Sequence, residues 1–376
     1  MEHLKELRYL KELISIDSQN PGNNEREVCD YIAKKLKKIG FSKIKRIEYK
    51  KKRSNIIASY KDECEGFSLA FNGHLDTKPA KGRWRSNPLK SRIEGDKIYG
   101  LGSADMKGGI ASAIGAIETF LEKNKKFDGN IIFQGVSDEE NGSINGMRYL
   151  SENYPEDLMA DFAIVLEPTQ LNVSNNQVGN LWLNFEIRGK AGHAGEPEKS
   201  INAIDKSFLL KQTLQKNLSK IKDKNTPVRL NLGNISGGIH PGTVPDKCNF
   251  TVDIRIPPKH ERNDYITDII RTVKKFEAQH KIRIKVSAYR GGGLEPSSLD
   301  ENNYYLKKLC DYAGKHRLLT LTGGTDASFL NSLGVDTVVF GPGSLEQAHK
   351  PDEYTSAKEV LNCSGILYNF MEDVLN

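Results

Sequence analysis

The chain has 376 residues, 37% of them hydrophobic and 28% charged, with a formal net charge of +6. That length exceeds an ordinary single domain, so two domains with ample core are expected. A mean hydropathy of −0.55 and the lack of an apolar run of about 18 residues exclude a membrane-spanning helix. The positive charge lies in short lysine runs such as Lys34-Lys35, Lys50-Lys51-Lys52-Arg53 and 123–126, without interleaved aromatic residues. Such runs argue for solvated faces and a mild attraction of anionic substrates, and against nucleic acid. Cys29, Cys64, Cys248, Cys310 and Cys363 are scattered and lack CxxC spacing, which fits reduced structural thiols in a cytoplasmic protein and excludes them as metal ligands.

Taken in chain order, residues 1–10 read as a charged amphipathic helix and not as a signal peptide. Residues 25–39 carry apolar positions at helical spacing and stop at Gly40. The run 67–71 reads as a buried strand, 110–121 as an apolar helix, and 130–136 and 162–166 as further strands. This alternation predicts an α/β sheet. Beyond about residue 175 the rhythm changes. Segments 181–188, 251–256 and 282–286 alternate with period two, around long helical patterns at 200–220 and 264–280. A smaller α+β unit is expected there. The first layout resumes with a helix at 303–313 and a strand at 337–340, so the expected catalytic domain is discontinuous, 1–178 with 292–376, and 179–291 is an insertion.

The chemistry concentrates at strand ends. His74 and Asp76 stand two apart just past the 67–71 run, and strand alternation would turn one imidazole and one carboxylate to the same side. Nitrogen and oxygen donors of this kind suit zinc and its neighbours. Alone, the pair is a weak signal, because such spacing occurs by chance, a histidine near a strand end is usually structural and the carboxylate can be a turn cap. The series that follows adds weight to it. Asp105 lies in a glycine-rich turn before the 110–121 helix, Glu139 and Glu140 follow the 130–136 strand, and Glu167 ends the 162–166 run before Pro168. His349 falls in the segment 341–354 after the strand 337–340. In open α/β sheets the carboxyl ends of strands are where ligands bind.

Together these motifs resemble the co-catalytic zinc amidohydrolase and peptidase family that contains acetylornithine deacetylase, succinyl-diaminopimelate desuccinylase, aminoacylase and the glutamate carboxypeptidases, over essentially the whole chain. The resemblance implies a zinc-exopeptidase-like α/β catalytic domain with a mixed central sheet and an inserted α+β lid that mediates dimerisation. It implies two divalent metal ions, zinc foremost, with cobalt or manganese as alternatives. By the same resemblance His74 binds one metal and Asp76 orients it, while Asp105 bridges both. Glu139 is then the general base, Glu140 shares a metal with His349, and Glu167 shares the other with His74. The chemistry is coherent physically. Two metals about 3.5–4 Å apart lower the pKa of a shared water and polarise a carbonyl. Adjacent glutamates in extended backbone point apart, so one can hold metal while the other faces the water. An outer carboxylate suits Asp76 because such groups fix the tautomer of a ligand histidine.

The insertion carries its own candidates. His193, in a glycine-flanked loop, corresponds in the resembling enzymes to a histidine that reaches across a dimer interface to the oxyanion. Asn234 resembles the family's amide donor, and Arg255 its grip on a substrate carboxylate, a role that guanidinium geometry favours. Ordinary readings stand beside these: a loop histidine bonding backbone, a turn asparagine, and a surface salt bridge for Arg255. Gly324 and Thr325 belong to a loop that resembles the lining of an acyl or carboxylate pocket. Ser328 stands where desuccinylases usually carry arginine, which tilts the reading towards a short acyl group. Glu346, Asp352 and Glu353 could select a cationic side chain such as ornithine, or be plain rim residues. His240 is a possible second-sphere residue. The expected function is a deacylase like acetylornithine deacetylase, acting on N-acyl-L-amino acids through a Glu-activated bridging water. A metallo-dipeptidase, a carboxypeptidase or a desuccinylase is the alternative. The expected partners are a small N-acyl amino acid or dipeptide and a second copy of the chain docked through the lid, with no nucleic acid and no membrane.

Overall fold

Parallel strands need crossover connections, and the helix–strand alternation of the first part of the chain supplies them. The structure, a computed structural model, describes residues 4–22, 24–61, 65–124, 126–221, 223 and 226–376. It divides into two units: Met1–Asn176 with Ser298–Leu321 and Thr325–Asn376, and Gln177–Ser297 with Thr322–Gly324. Among the described residues no helix is long and apolar enough to cross a membrane.

The first unit is built on a mixed sheet. Its strands lie in the order Lys43–Lys50, Arg53–Ser59, Asn130–Val136, Ser68–His74, Phe162–Val165 and Asp336–Val339, with Ser174–Gln177 beyond. The middle strands are parallel: Ser68–His74 pairs with both Asn130–Val136 and Phe162–Val165, and Asp336–Val339 pairs with Phe162–Val165. Arg53–Ser59 joins them antiparallel and carries Lys43–Lys50 as an outer hairpin partner. Phe162–Val165 is buried throughout, as a strand covered on both faces must be, which is why it reads as a continuous apolar run. The helices Lys5–Ser15, Gly108–Lys123 and Ala357–Val374 pack on one another. Gly108–Lys123 is buried along most of its length, so its sequence is apolar nearly all round.

One close approach sets the geometry at the strand ends. A Cβ at Gly109 would lie 2.2 Å from the Leu166 carbonyl oxygen. Only glycine lets the start of Gly108–Lys123 rest against the end of the Phe162–Val165 strand, and that contact brings the turn carrying Asp105 over the strand tips.

The second unit has an antiparallel four-stranded sheet, in the order Arg229–Gly237, Lys247–Ile256, Gly179–Arg188 and Arg283–Ala288. Inward residues alternate along the two middle strands and form a separate core with the helices Ala203–Leu218 and Arg262–His280. Phe185 and Phe250 stack across the strand pair at 4.8 Å between ring centroids. Asn202 caps the first helix by accepting from the amides of Ile204 and Asp205. Gly192–His193 and Thr243–Val244 form a short two-stranded ribbon.

The predicted helices and strands named above are present, with ends moved by a few residues; residues 1–3 of the helix expected over 1–10 lie outside the described residues, and the helix observed is Lys5–Ser15. The structure adds three features that the sequence patterns leave unmarked. Arg229–Gly237 is an edge strand, exposed along most of its length, so no apolar alternation marks it. Arg92–Glu94, Lys97–Tyr99 and Tyr354–Ser356 form a small sheet of very short strands. Ala357–Val374 is a long amphipathic helix that closes the chain.

Candidate metal centre

Neighbouring parallel strands end side by side, and this delivers most of the donors. His74 is the last residue of Ser68–His74, Glu139 and Glu140 follow Asn130–Val136, and Glu167 follows Phe162–Val165. Asp105 arrives from the irregular turn Ser103–Lys107, with φ −124° and ψ 95° in place of helical values. His349 comes from the loop after Asp336–Val339 and holds φ 63°, a left-handed conformation that a non-glycine residue keeps only when its surroundings fix it.

All six residues converge within the first unit. Asp105 Oδ1 is 2.9 Å from His74 Nε2, and Asp105 Oδ2 is 3.2 Å from His349 Nε2. One carboxylate thus presents a separate oxygen to each of two histidines. Glu140 Oε1 lies 2.9 Å from His349 Nε2, and Glu167 Oε1 lies 3.8 Å from His74 Nε2. Donor atoms of His74, Glu139 and Glu167 lie within 4.8 Å of one another, as do those of His74, Asp105 and Glu140. His74, Asp105 and Glu167 are buried, Glu139 and Glu140 are half-buried, and the His349 side chain is open to solvent at 47%.

The electrostatics call for cations. Burial opposes charge on both His74 and Asp105. The Asp105–His74 bond, helped by Glu167, nevertheless pushes the imidazole well above its ordinary range. Bonds from His349 and His74 hold the Asp105 carboxyl well below the usual carboxylate range. Hydrogen bonds to Asp105 and Glu140 push His349 up to about 10. Burial and neighbouring acids push Glu139 and Glu167 well up, and burial takes Asp326 to about 6. A cluster this rich in carboxylates, with two imidazoles and Asp105 between them, has the donor chemistry for two divalent metals.

The supports differ in part from expectation. His74 Nδ1 donates to the backbone carbonyl of Asp76 at 2.8 Å, while the Asp76 carboxylate stands 3.8 Å away. The tautomer is therefore set by a carbonyl, and Nε2 is left to face Asp105. The Asp76 carboxylate is engaged elsewhere, accepting from the amides of Glu139 and Glu140 at 3.2 and 3.3 Å. Glu139 and Glu140 diverge from a one-turn 3₁₀ helix, Glu139–Asn141, and not from the extended backbone expected. Glu353 is a correction too. It is buried and accepts from the amides of Gly102, Ala104 and Asp105 at 2.9, 2.9 and 3.1 Å, so it anchors the Asp105 turn and is not a rim acid. Asp352 is paired with Arg85 at 3.4 Å, and Glu346 alone of the three is exposed without an ion pair among the described residues.

Sequence reasoning missed Asn20, Asp138 and Lys78. Lys78 reaches Glu140 Oε2 at 3.1 Å and its backbone carbonyl. Asp138 precedes the Glu139-Glu140 pair directly, and that adjacency was a usable signal. Asn20 had none, because it is distant in sequence and chemically ordinary.

His193 is exposed, and its Nδ1 accepts from the Gly195 amide at 3.0 Å, which leaves the proton on Nε2. His240 repeats this turn with Gly242 at 3.0 Å. Asn234 sits on the edge strand opposite Thr251. Arg255 forms the ion pair with Asp253 at 2.7 Å and donates to the Thr322 carbonyl at 3.4 Å. Gly324, in the second unit, abuts Leu294: a Cβ there would lie 2.8 Å from its Cδ1. Thr325, in the first unit, accepts from the Ala327 amide at 3.3 Å and so opens the helix Ala327–Ser332, in which Ser328 is buried.

Comparison with known proteins agrees with this arrangement. The family model described as Peptidase family M20/M25/M40 matches residues 70–373. Acetylornithine deacetylase of Proteus mirabilis is 30% identical, over 94% of this chain and 91% of its own. Among solved structures, the aminopeptidase PepT of Bacillus cereus superposes with a TM-score of 0.79 at 20% identity, over 98% of each chain. A dinuclear metal-binding M20 peptidase of Bacillus subtilis superposes with a TM-score of 0.74 at 16% identity, over 99% of this chain and 98% of its own.

Proposed function

The chain belongs to Peptidase family M20/M25/M40 as a dinuclear metal hydrolase, and within that family we propose that it cleaves the amide bond of an N-acyl-L-amino acid, as a deacylase like acetylornithine deacetylase. The observation that carries the chemistry is Asp105, whose two oxygens face His74 and His349 separately. The likeness to the Proteus mirabilis deacetylase supports the choice of substrate class.

In this reading His74, Glu167 and Asp105 would hold one ion, and His349, Glu140 and Asp105 would hold the other. Two such ions, zinc foremost, would supply a water acidified towards neutrality and a polarised carbonyl. Glu139 takes the proton of the attacking water, helped by the rise that burial gives its carboxyl. As the C–N bond breaks, Glu139 returns that proton to the leaving amine nitrogen. Asp76 keeps the Glu139 and Glu140 backbone in place. We assign residues 179–291 as a lid through which two copies pair, with His193 Nε2–H as donor to the oxyanion. Asn234, Arg255, Gly324 and Thr325 orient the substrate. Arg255 must exchange its bond to Asp253 for the substrate carboxylate. With Glu353 and Asp352 engaged, only Glu346 is left to favour a cationic side chain.

The test is hydrolysis after chelation and repletion with zinc or cobalt, on N-acetyl-ornithine, other N-acetyl amino acids, N-succinyl-diaminopimelate and dipeptides. Metal-restored release of amine from an acetyl substrate is expected. Turnover of dipeptides alone would replace this reading with a peptidase.

A further inference from the structure

We propose that Asn20 is a positioning residue of the metal centre, whose side-chain amide ties the Asp76 and Asp138 carboxylates together and so fixes the turn that carries Glu139 and Glu140. The inference rests on the roles given to Glu139 and Glu140 above.

Asn20 is 2% exposed, and Asp76 and Asp138 are 1% and 0% exposed. Asn20 Nδ2 donates to Asp76 Oδ2 at 2.9 Å and to Asp138 Oδ1 at 2.8 Å. An amide nitrogen has two hydrogens, so each is spent on a different acid. The Asn20 backbone is itself pinned, its N–H donating to the Thr77 carbonyl at 2.8 Å. Without the amide, two buried carboxylates would face one another. The cations near them are Arg53, 3.4 Å from Asp138 Oδ1 and already paired with Glu25, and the His74 imidazole, whose Nδ1 stands 3.8 Å from Asp76 Oδ1 and donates to the Asp76 carbonyl. Like charges held at low dielectric repel strongly.

Each acid secures one part of the turn. Asp76 receives the amides of Glu139 and Glu140. Asp138 accepts from the backbone and side-chain nitrogens of Asn145 at 3.1 and 2.8 Å, and it enters the turn with φ 65°. That left-handed value is uncommon outside glycine, although aspartate adopts it more readily than most, and the bonds from Asn20 and Asn145 help to hold it here. Asn20 touches both supports. Alanine at this position removes both donors, serine keeps one, and aspartate keeps the shape while adding a third negative charge.

The experiment loads Asn20→Ala, Asn20→Ser, Asn20→Asp and Glu140→Ala chains with cobalt. It follows cobalt affinity and stoichiometry, the visible spectrum of the cobalt form, and kcat and KM separately on the substrate found by the panel. Asn20→Ala is expected to lower affinity at one cobalt site and kcat by about 10–100-fold, the scale for outer partners of metal ligands, with KM little changed and the spectrum altered. Asn20→Ser should recover part of this, and Asn20→Asp should lose more than alanine. Should Asn20→Ala fail to fold, the serine variant decides on the same readouts. Native cobalt affinity, spectrum and kcat in a folded Asn20→Ala or Asn20→Ser chain would overturn the proposal, as would losses that merely follow melting temperature. A Glu140→Ala chain that still binds two cobalt ions would instead overturn the underlying reading of Glu140, and the proposal with it.

Discussion

Glu139 and Glu140 are chemically identical neighbours that a 3₁₀ turn sends in different directions. Glu140 Oε1 meets His349, while Glu139 groups with His74 and Glu167. Glu139→Gln is therefore expected to keep both metals while turnover falls by at least about 10²-fold, the lower scale for a lost general base. Metal analysis beside turnover of the panel substrate checks this. Glu353 holds the Asp105 turn by its backbone, its carboxylate accepting from three amides. Glu353→Gln exchanges that anion for an amide that must turn a donor towards other donors. A loss of about 1–3 kcal/mol in stability is expected, with weaker metal binding because one of the three amides belongs to Asp105. Denaturant unfolding and metal titration read the two effects. The motif residues His74, Asp105, Glu139, Glu140, Glu167 and His349 were legible because each is a donor type beside turn chemistry. Asn20 and the anchoring role of Glu353 were not, since which backbone amide a carboxylate meets depends on contacts between segments far apart in sequence.

The helix Gly108–Lys123 shows how an element, beyond its side chains, shapes the site. Its first turn is pressed against the end of Phe162–Val165 with no room for a methyl at Gly109. Gly109→Ala is expected to cost about 1–3 kcal/mol, as overpacking does, and to weaken metal binding by displacing the Asp105 turn. Gly365, exposed in Ala357–Val374, is the control, because a Cβ added there would meet nothing within 4 Å. There the same change is expected to stabilise by about 0.5–1 kcal/mol through the lower helix propensity of glycine. Thermal and denaturant unfolding of both variants separates crowding from propensity. Legibility at this scale followed burial. Most strands and helices with one apolar face, or wholly apolar ones, announced themselves by period, although the amphipathic helix Ala357–Val374 went unread. The edge strand Arg229–Gly237 and the three short strands of the small sheet did not, because they bury too little to impose a pattern.

At the scale of the whole molecule, the two units have separate cores, and the carboxylate cluster lies wholly in the first. Divalent ions that bind the folded first unit stabilise it by mass action, about 4 kcal/mol at a thousandfold excess over Kd. Chelation is therefore expected to lower the melting temperature of the transition that belongs to the first unit and to leave that of the second unchanged. Calorimetry with and without chelator checks it, and an unmoved first transition would count against metal binding there. By itself, the sequence determined the α/β class, the change of rhythm near residue 175 and the identity of the donors, because period and residue chemistry are local properties. Tertiary structure decided that Asp105 faces two histidines, that a carbonyl and not a carboxylate sets the His74 tautomer, and that Glu353 is spent on an anchor. Those outcomes depend on distances between segments up to hundreds of residues apart, which only packing of the sheet and its helices fixes.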